Sequence, residues 1–278
     1  MGASSEQVVP LWIAALPMYD FRELRDAHDR FWGALARRLR EGGIAGVPGQ
    51  LIRRLSHREA WSHPGLLFGQ ACEYPVSKSF HGHLRILATP RYRAPGCDGS
   101  TYRSAIVVRA EAPANSLEEL RNGLCVVNEP DSNSGMNLLR AALAPLSGDA
   151  RFFRSVIFSG SHTRSVELIV AGEADVTAID CVTFEHLRRI RPHLTSRLRI
   201  VDWTPPSPCL PFVTSRRTSE ATVAAVRYAL ETVCSDPALG PVREALLLES
   251  VDLTPDTTFG RVLELEQEAE RWRYPALL

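Results

Sequence analysis

Lysine is nearly missing: of 32 basic residues, only Lys78 is not arginine. Arginine serves a solvated face equally well, so this reads as coding bias. Net charge is missing too, because the basic residues meet 32 acidic ones. That removes the electrostatic footprint of a nucleic-acid binder, and no nucleic-acid partner is expected. No apolar run reaches the ~20 residues that span a bilayer, so no direct membrane insertion is expected. Nor does the chain open on a basic stretch followed by a long apolar core. Val8–Met18 is short, holds Pro10 and Pro17, and reads as a first strand. On this reading the chain is cytoplasmic as it stands, and periplasmic if a leader was removed.

Chemical signatures are sparse as well. None of the six cysteines forms a CxxC pair, which argues against a zinc ribbon or a thioredoxin-type site. Cys125 and Cys181 sit in or beside apolar runs, as buried small hydrophobes do. Cys72 and Cys97 lie in loop-like segments and are the two that could pair in an exported protein. Walker A, GxGxxG and HExxH patterns are absent, and Ser161 is not in a GxSxG elbow. His81 and His83 alternate on one strand face without a Cys or carboxylate at matching spacing. No metal, no other cofactor and no catalytic residue is therefore expected.

What is present is an ordinary globular composition, 45% hydrophobic and 23% charged over 278 residues. That length leaves room for about two domains. Strands are expected at Val8–Leu16, Leu66–Ala71, Leu84–Ala88 and Tyr102–Arg109. A first helix should run from Asp20 as N-cap to Glu41, stopped by Gly42-Gly43. A second strand–helix series follows. Its strands are Leu124–Asn128, Arg154–Phe158, Asp175–Ile179 and Leu198–Trp203. Its helices open at Asp131–Gly135 (stopping near Pro145), at Ser159–His162 and at Cys181. Phe212–Thr214, then helices over 220–233, about 238–248 and 258–272, close the chain.

This alternation predicts an α/β fold with mainly parallel sheets. Proline-rich connectors near 90–100 and 204–211 divide it into two lobes: 1–103 plus 204–278, and 104–203. Two crossing segments make a hinge, and a ligand is expected in the cleft at the strand C-termini.

Three segments could meet such a ligand. Ser132-Asn133-Ser134-Gly135 follows the strand LCVVN and opens a helix. Free N–H groups, hydroxyls and the positive end of the helix dipole favour an anion there. Ordinary N-caps use the same residues, so that reading stays open. Ser159-Gly160-Ser161-His162 is a second small, polar helix start, from which His162 could donate to an oxyanion. Asp180 ends a strand where the cleft should lie, and either holds a donor group or caps the next helix. Tyr19, Gln70, Tyr74 and Tyr102 begin or follow first-lobe strands and either close over a ligand or pack.

With those residues in view, SLEELRNGLCVVNEPDSNSGMNLLR and VIFSGSHTRSVELIVAGEADVTAIDCVTFEHL resemble the phosphate/phosphonate-binding components of ABC transporters. The resemblance implies a type II periplasmic-binding-protein fold and a small anionic ligand. By that likeness Ser132, Asn133, Ser134 and His162 hold the oxyanion, while Tyr19, Tyr74 and Asp180 meet the organic end. It implies an ABC permease as docking partner, or a sensor protein where the fold is reused. The alternative is a cytoplasmic enzyme or a ligand-sensing module on the same fold. An enzyme would use His162 and Asp180 as acid and base.

Overall fold

The computed structural model describes residues 11–148, 151–253 and 260–277. The expected strand at 8–10 and the helix start at 258–259 lie outside these residues.

The chain begins with β1 (Ile13–Ala15), a 3-10 turn at Arg22–Leu24, and α1 (Arg25–Glu41). α1 buries Phe31, Trp32, Leu35 and Leu39 at helical spacing, and Gly42 ends it by donating to Arg38 O. Asp20 does not cap it. Its carboxylate instead accepts from Arg25 and Arg53. Next come α2 (His57–Ser62), started by a capping box of Ser56 and Glu59, and β2 (Leu66–Gln70). α3 (Glu73–Lys78) and β3 (Leu84–Tyr92) follow.

β4 (Thr101–Tyr102) and β5 (Ser104–Arg109) lead into the second series. There β6 (Leu124–Val127) feeds a π-helical turn at Asn133–Asn137 that continues as α4 (Leu138–Ser147). Pro145 lies inside α4 rather than stopping it. β7 (Ser155–Phe158), α5 (His162–Ala171), β8 (Thr177–Asp180), α6 (Cys181–Ile190), α7 (Pro192–Thr195) and β9 (Leu198–Trp203) complete the series. The return leg holds β10 (Ser207–Pro208), β11 (Phe212–Ser215), α8 (Glu220–Ser235), α9 (Gly240–Ala245), β12 (Leu248–Asp252) and α10 (Gly260–Arg271).

Two separate sheets give two lobes. One has the order β1-β2-β11-β3-β12, and the other β8-β5-β9. A parallel β6–β7 ladder extends the second lobe, and Cys125 of β6 bridges Val176, the residue before β8. Parallel pairing is the minority, contrary to the sequence expectation. Among named strands only β1–β2 and β6–β7 pair that way. The reason lies in the crossings. β11 starts at Phe212, opposite Gln70 at the end of β2, and runs antiparallel to both β2 and β3. β5 starts at Ser104, opposite Asp180 at the end of β8. β11 thus enters where β2 finishes, and β5 where β8 and β9 finish.

β4 and β10 join the two crossings as a short antiparallel ribbon, Tyr102 opposite Ser207. Arg103 donates to Thr204 O at 2.9 Å, and Thr204 N to Ser104 O at 3.0 Å. This is the two-segment hinge.

The first core stacks Trp32 on Phe68, ring centroids 5.8 Å apart, and Phe68 on Phe212 at 5.0 Å. The second gathers Ile106, Leu139, Leu143, Phe152 and Phe153. Each such side chain contributes roughly 1.5–3 kcal/mol on burial. The C-terminal stretch departs from the expected division. α10 packs on α4, and Ala269, Tyr274 and Leu277 enter the second-lobe core. Only 240–245 of the expected 238–248 helix is α-helical, and 248–252 forms the edge strand β12 beside β3.

Candidate ligand-binding cleft

A cleft of about 450 Å³ opens between the lobes, lined by both. Its second-lobe wall begins where β6 ends. Asn128 to Asp131 make a turn, then Ser132 caps the π-helical turn by accepting from Gly135 N at 3.0 Å. Gly135 is required: a Cβ there would lie 1.9 Å from Asn128 Oδ1. That close approach brings the turn against the start of α5, whose Ser161 caps Arg164 N at 3.2 Å. Two helix starts thereby face one space. Ser134 Oγ lies 2.9 Å from His162 Nε2 and 3.4 Å from Ser132 Oγ.

Asp180 ends β8 in the same wall. Its Oδ1 accepts from Thr183 N at 2.8 Å, and its Oδ2 lies 3.6 Å from His162 Nε2. Burial lowers the His162 pKa, opposed by the Asp180 charge. A neutral imidazole follows at neutral pH. Ser134, His162 and Asp180 do not form a nucleophile relay. Serine and aspartate both face the same ring nitrogen, whereas a relay needs the carboxylate on the other one. His162 Nδ1 is buried and has no partner among the described residues.

The first-lobe wall is built from Pro17 to Arg22, His57 and Trp61 of α2, Cys72, Pro75 and Leu210. Tyr19 holds a left-handed φ of 59°, which turns the chain after β1 and sets its ring edge-on to Tyr92 at 5.7 Å. Burial, with the Asp180 charge second, raises the Tyr19 pKa, so its hydroxyl stays a donor. At the rim, Arg58 bonds Asp131, His57 Nε2 lies 3.6 Å from Glu129, and Arg191 lies 3.7 Å from Glu23. Each of these pairs spans the lobes.

Of the residues singled out in the sequence, Tyr19, Ser132, Ser134, Ser161, His162 and Asp180 line the cleft. Gln70, Tyr74, Tyr102 and Asn133 do not. Gln70 donates to Tyr92 OH and Leu210 O, holding the hinge-side backbone. Tyr74 lies on α3 with its hydroxyl bonded to Glu266 of α10 and to Lys78. Tyr102 and Asn133 bond each other beneath the site, and Asn133 also reaches Ser207. They tie the hinge ribbon to the π-helical turn. Asp131, at the head of the expected helix start, lines the cleft too, whereas Phe21, Arg22, His57, Trp61, Asn128, Glu129 and Arg191 carried no expectation of lining it. The capping box at Ser56–Glu59 and the position of Asn128 right after a strand were the available signals.

The thiols also differ from expectation. Cys97 Sγ sits 3.3 Å from Cys181 Sγ, not beside Cys72. The Cys72 sulfur accepts from Asn133 N at 3.4 Å.

Two α/β lobes joined by a paired hinge, with converging helix starts in the cleft between them, define a binding protein of the periplasmic type II class. The family model described as "ABC transporter, phosphonate, periplasmic substrate-binding protein" matches residues 68–257. The chain belongs to that family, whose members are substrate-binding components of transporters and not enzymes. No curated protein matches the sequence.

Solved structures share the fold. The binding-protein component of an ABC phosphonate transporter from Pseudomonas aeruginosa, PA3383, superposes with a TM-score of 0.78 at 14% identity, covering 95% of this chain and 88% of that one. PhnD1 from Prochlorococcus marinus, in complex with methylphosphonate, gives 0.73 at 14% identity over 94% and 98%. XAC2383 from Xanthomonas citri, bound to chloride ion, gives 0.72 at 18% identity over 94% and 98%. Among the described residues, no helix is long and apolar enough to cross a membrane.

Proposed function

We propose that this protein binds a phosphonate or phosphate in the interlobe cleft and delivers it, in the periplasm, to the permease of an ABC uptake system. One observation carries the reading. Two helix N-termini converge on one space, with Ser134 and His162 2.9 Å apart between them. Backbone N–H groups and hydroxyls there can hold an oxyanion without a cationic side chain. Ser132, Ser134, Ser161 and His162 take the anion. Tyr19, Trp61 and Asp180 face the organic end. The methylphosphonate complex of PhnD1, on the same fold, supports this ligand class. Because ligand contacts come from both lobes, binding favours the closed state.

Calorimetric titration with methylphosphonate and with inorganic phosphate tests the reading. One-site binding is expected for at least one of them, with affinity reduced by roughly a hundredfold or more in the Ser134→Ala/His162→Ala double variant. Unchanged affinity in that variant would move the site elsewhere. Co-purification with a permease, rather than with a signalling protein, is the expected outcome for the partner.

A further inference from the structure

Of the six cysteines only Cys72 lines the cleft, and three others lie around the hinge. Cys97 Sγ lies 3.3 Å from Cys181 Sγ, and the Cys209 thiol is near enough to act on the Cys97 pKa. The three come from different segments. Cys97 lies in the first crossing, Cys209 in the second, and Cys181 is the first residue of α6 in the second lobe. Backbone bonds fix this arrangement: Cys181 N donates to Arg103 O at 3.1 Å, and Cys209 N to Ser100 O at 2.7 Å. Gly96, at φ +101°, lets the first crossing lie this close. A Cβ there would stand 2.6 Å from the Trp203 ring and 3.0 Å from Cys181 Cβ.

Access is graded in the same order. Cys97 is half-buried, while Cys181 and Cys209 are buried. Hydrogen bonds from Cys181 and then Cys209 lower the Cys97 pKa, and the same bond from the other side raises that of Cys181. The reachable sulfur is therefore the one an incoming disulfide meets first, and it attacks as its thiolate.

We propose that Cys97 and Cys181 are a redox pair which, by exchange with a small-molecule or protein disulfide, forms a bond that staples the hinge to the second lobe. The Cys97 thiolate attacks one sulfur of the incoming disulfide and expels the first thiolate. Cys181 gives its proton to that thiolate, attacks Cys97 Sγ and expels the second, which takes a proton from solvent. Two protein thiols are oxidised, and one external disulfide is reduced to two thiols. A disulfide needs its sulfurs at about 2.05 Å, so the pair must close by roughly 1.2 Å. The bond would sit directly behind Asp180 in the cleft wall and tie the segment leaving β3 to α6. Oxidation then restrains lobe motion, whichever ligand the cleft takes.

The test is incubation of the reduced full chain with oxidised glutathione, followed by peptide mapping and amide hydrogen exchange. The expected product is a Cys97–Cys181 cross-link, two hydrogens lighter and reversed by dithiothreitol. Exchange over 93–103 should slow by about tenfold or more. Cys97→Ala should form no intramolecular bridge, and Cys181→Ala should retain glutathione on Cys97. A bridge other than Cys97–Cys181, an unmodified Cys97, or equal exchange rates in oxidised and reduced protein would overturn the proposal. The wild-type map decides even if a variant fails to fold.

Discussion

The two walls of the cleft are made by different means. The second-lobe wall uses short contiguous motifs: Ser132–Gly135, Ser161–His162 and Asp180, each at a strand-to-helix junction. Its groups are backbone N–H, hydroxyl, imidazole and the Asp180 carboxylate, and the two helix starts meet through Gly135 and Ser134. The first-lobe wall draws single residues from distant places, Tyr19, His57, Trp61, Pro75 and Leu210, and offers aromatic surface and rim charges. One wall can recognise an anion through geometry that local sequence dictates. The other can only be assembled by packing, and is the side where ligand selectivity has room to vary.

The largest test of this contrast is acid, which acts beside the cleft, where α1 of the first lobe and α6 of the second share a small cavity. His28 of α1 and His186 of α6 are buried, with Tyr19 packed on His186 at 5.9 Å. Burial lowers their pKa values to about 4 and about 3, with Asp20 and Asp29 opposing at His28 and Arg189 and His28 reinforcing at His186. A histidine whose folded pKa lies below its unfolded value of ~6.5 binds protons more readily unfolded. Its neutral form therefore contributes fully above about pH 6.5, and stability is lost as pH falls toward 4 and then 3. The loss should amount to several kcal/mol, at ~1.4 kcal/mol per unit for each group. Thermal melts from pH 7 to pH 4 should show a fall that begins near pH 6.5 and is about half as steep in His186→Gln, where His28 alone remains. A flat wild-type profile would mean that the interlobe contact already accommodates charge.

Next in size is Gly135→Ala. The added Cβ collides with Asn128 Oδ1, so the turn must shift away from α5. A destabilisation of ~1–3 kcal/mol is expected, together with loss of anion binding by calorimetry. Preserved binding would show that the two helix starts act independently. Asp180→Asn should then cost ~1–3 kcal/mol in selectivity for a ligand bearing an ammonium or hydroxyl over the bare anion. Because Asn caps about as well as Asp, the stability of α6 should stay unchanged. An unchanged selectivity ratio would leave Asp180 a cap alone.

Rim and scaffold changes should be smaller. Arg58→Ala removes a partly exposed interlobe pair to Asp131, and should weaken binding by less than ~1 kcal/mol, more at low salt than at high. Tyr74→Phe removes the hydroxyl bonded to Glu266, with a stability loss of ~1 kcal/mol and no change in ligand affinity. A change in affinity would put Tyr74 back among the ligand contacts.

The tyrosines show why the first-lobe wall was hard to read. Tyr19, Tyr74 and Tyr102 all follow or begin strands, and only Tyr19 reaches the cleft. Tyr74 turned to meet α10, a helix nearly two hundred residues away in sequence, at Glu266. Tyr102 turned inward because the hinge ribbon pairs it opposite Ser207 and places both against Asn133. Strand direction depends on the same long-range packing. β11 lies between β2 and β3 only because the chain returns through the hinge, and no local pattern records that insertion. The missed strand β12 follows the same logic, since its alternation is weak and its pairing with β3 defines it.

The sequence by itself determined the strand-to-helix junctions, because capping, glycine spacing and apolar periodicity act within a few residues and need no partner. Those junctions carry the α/β class and the hydroxyl-rich helix starts of the second lobe. Only the tertiary structure decided which side chains face the cleft, which strands run antiparallel, and which three thiols share the hinge. These depend on chain crossings that bring residues 97 and 181 together beside 209, and on packing whose favourable contacts form only after the lobes are built.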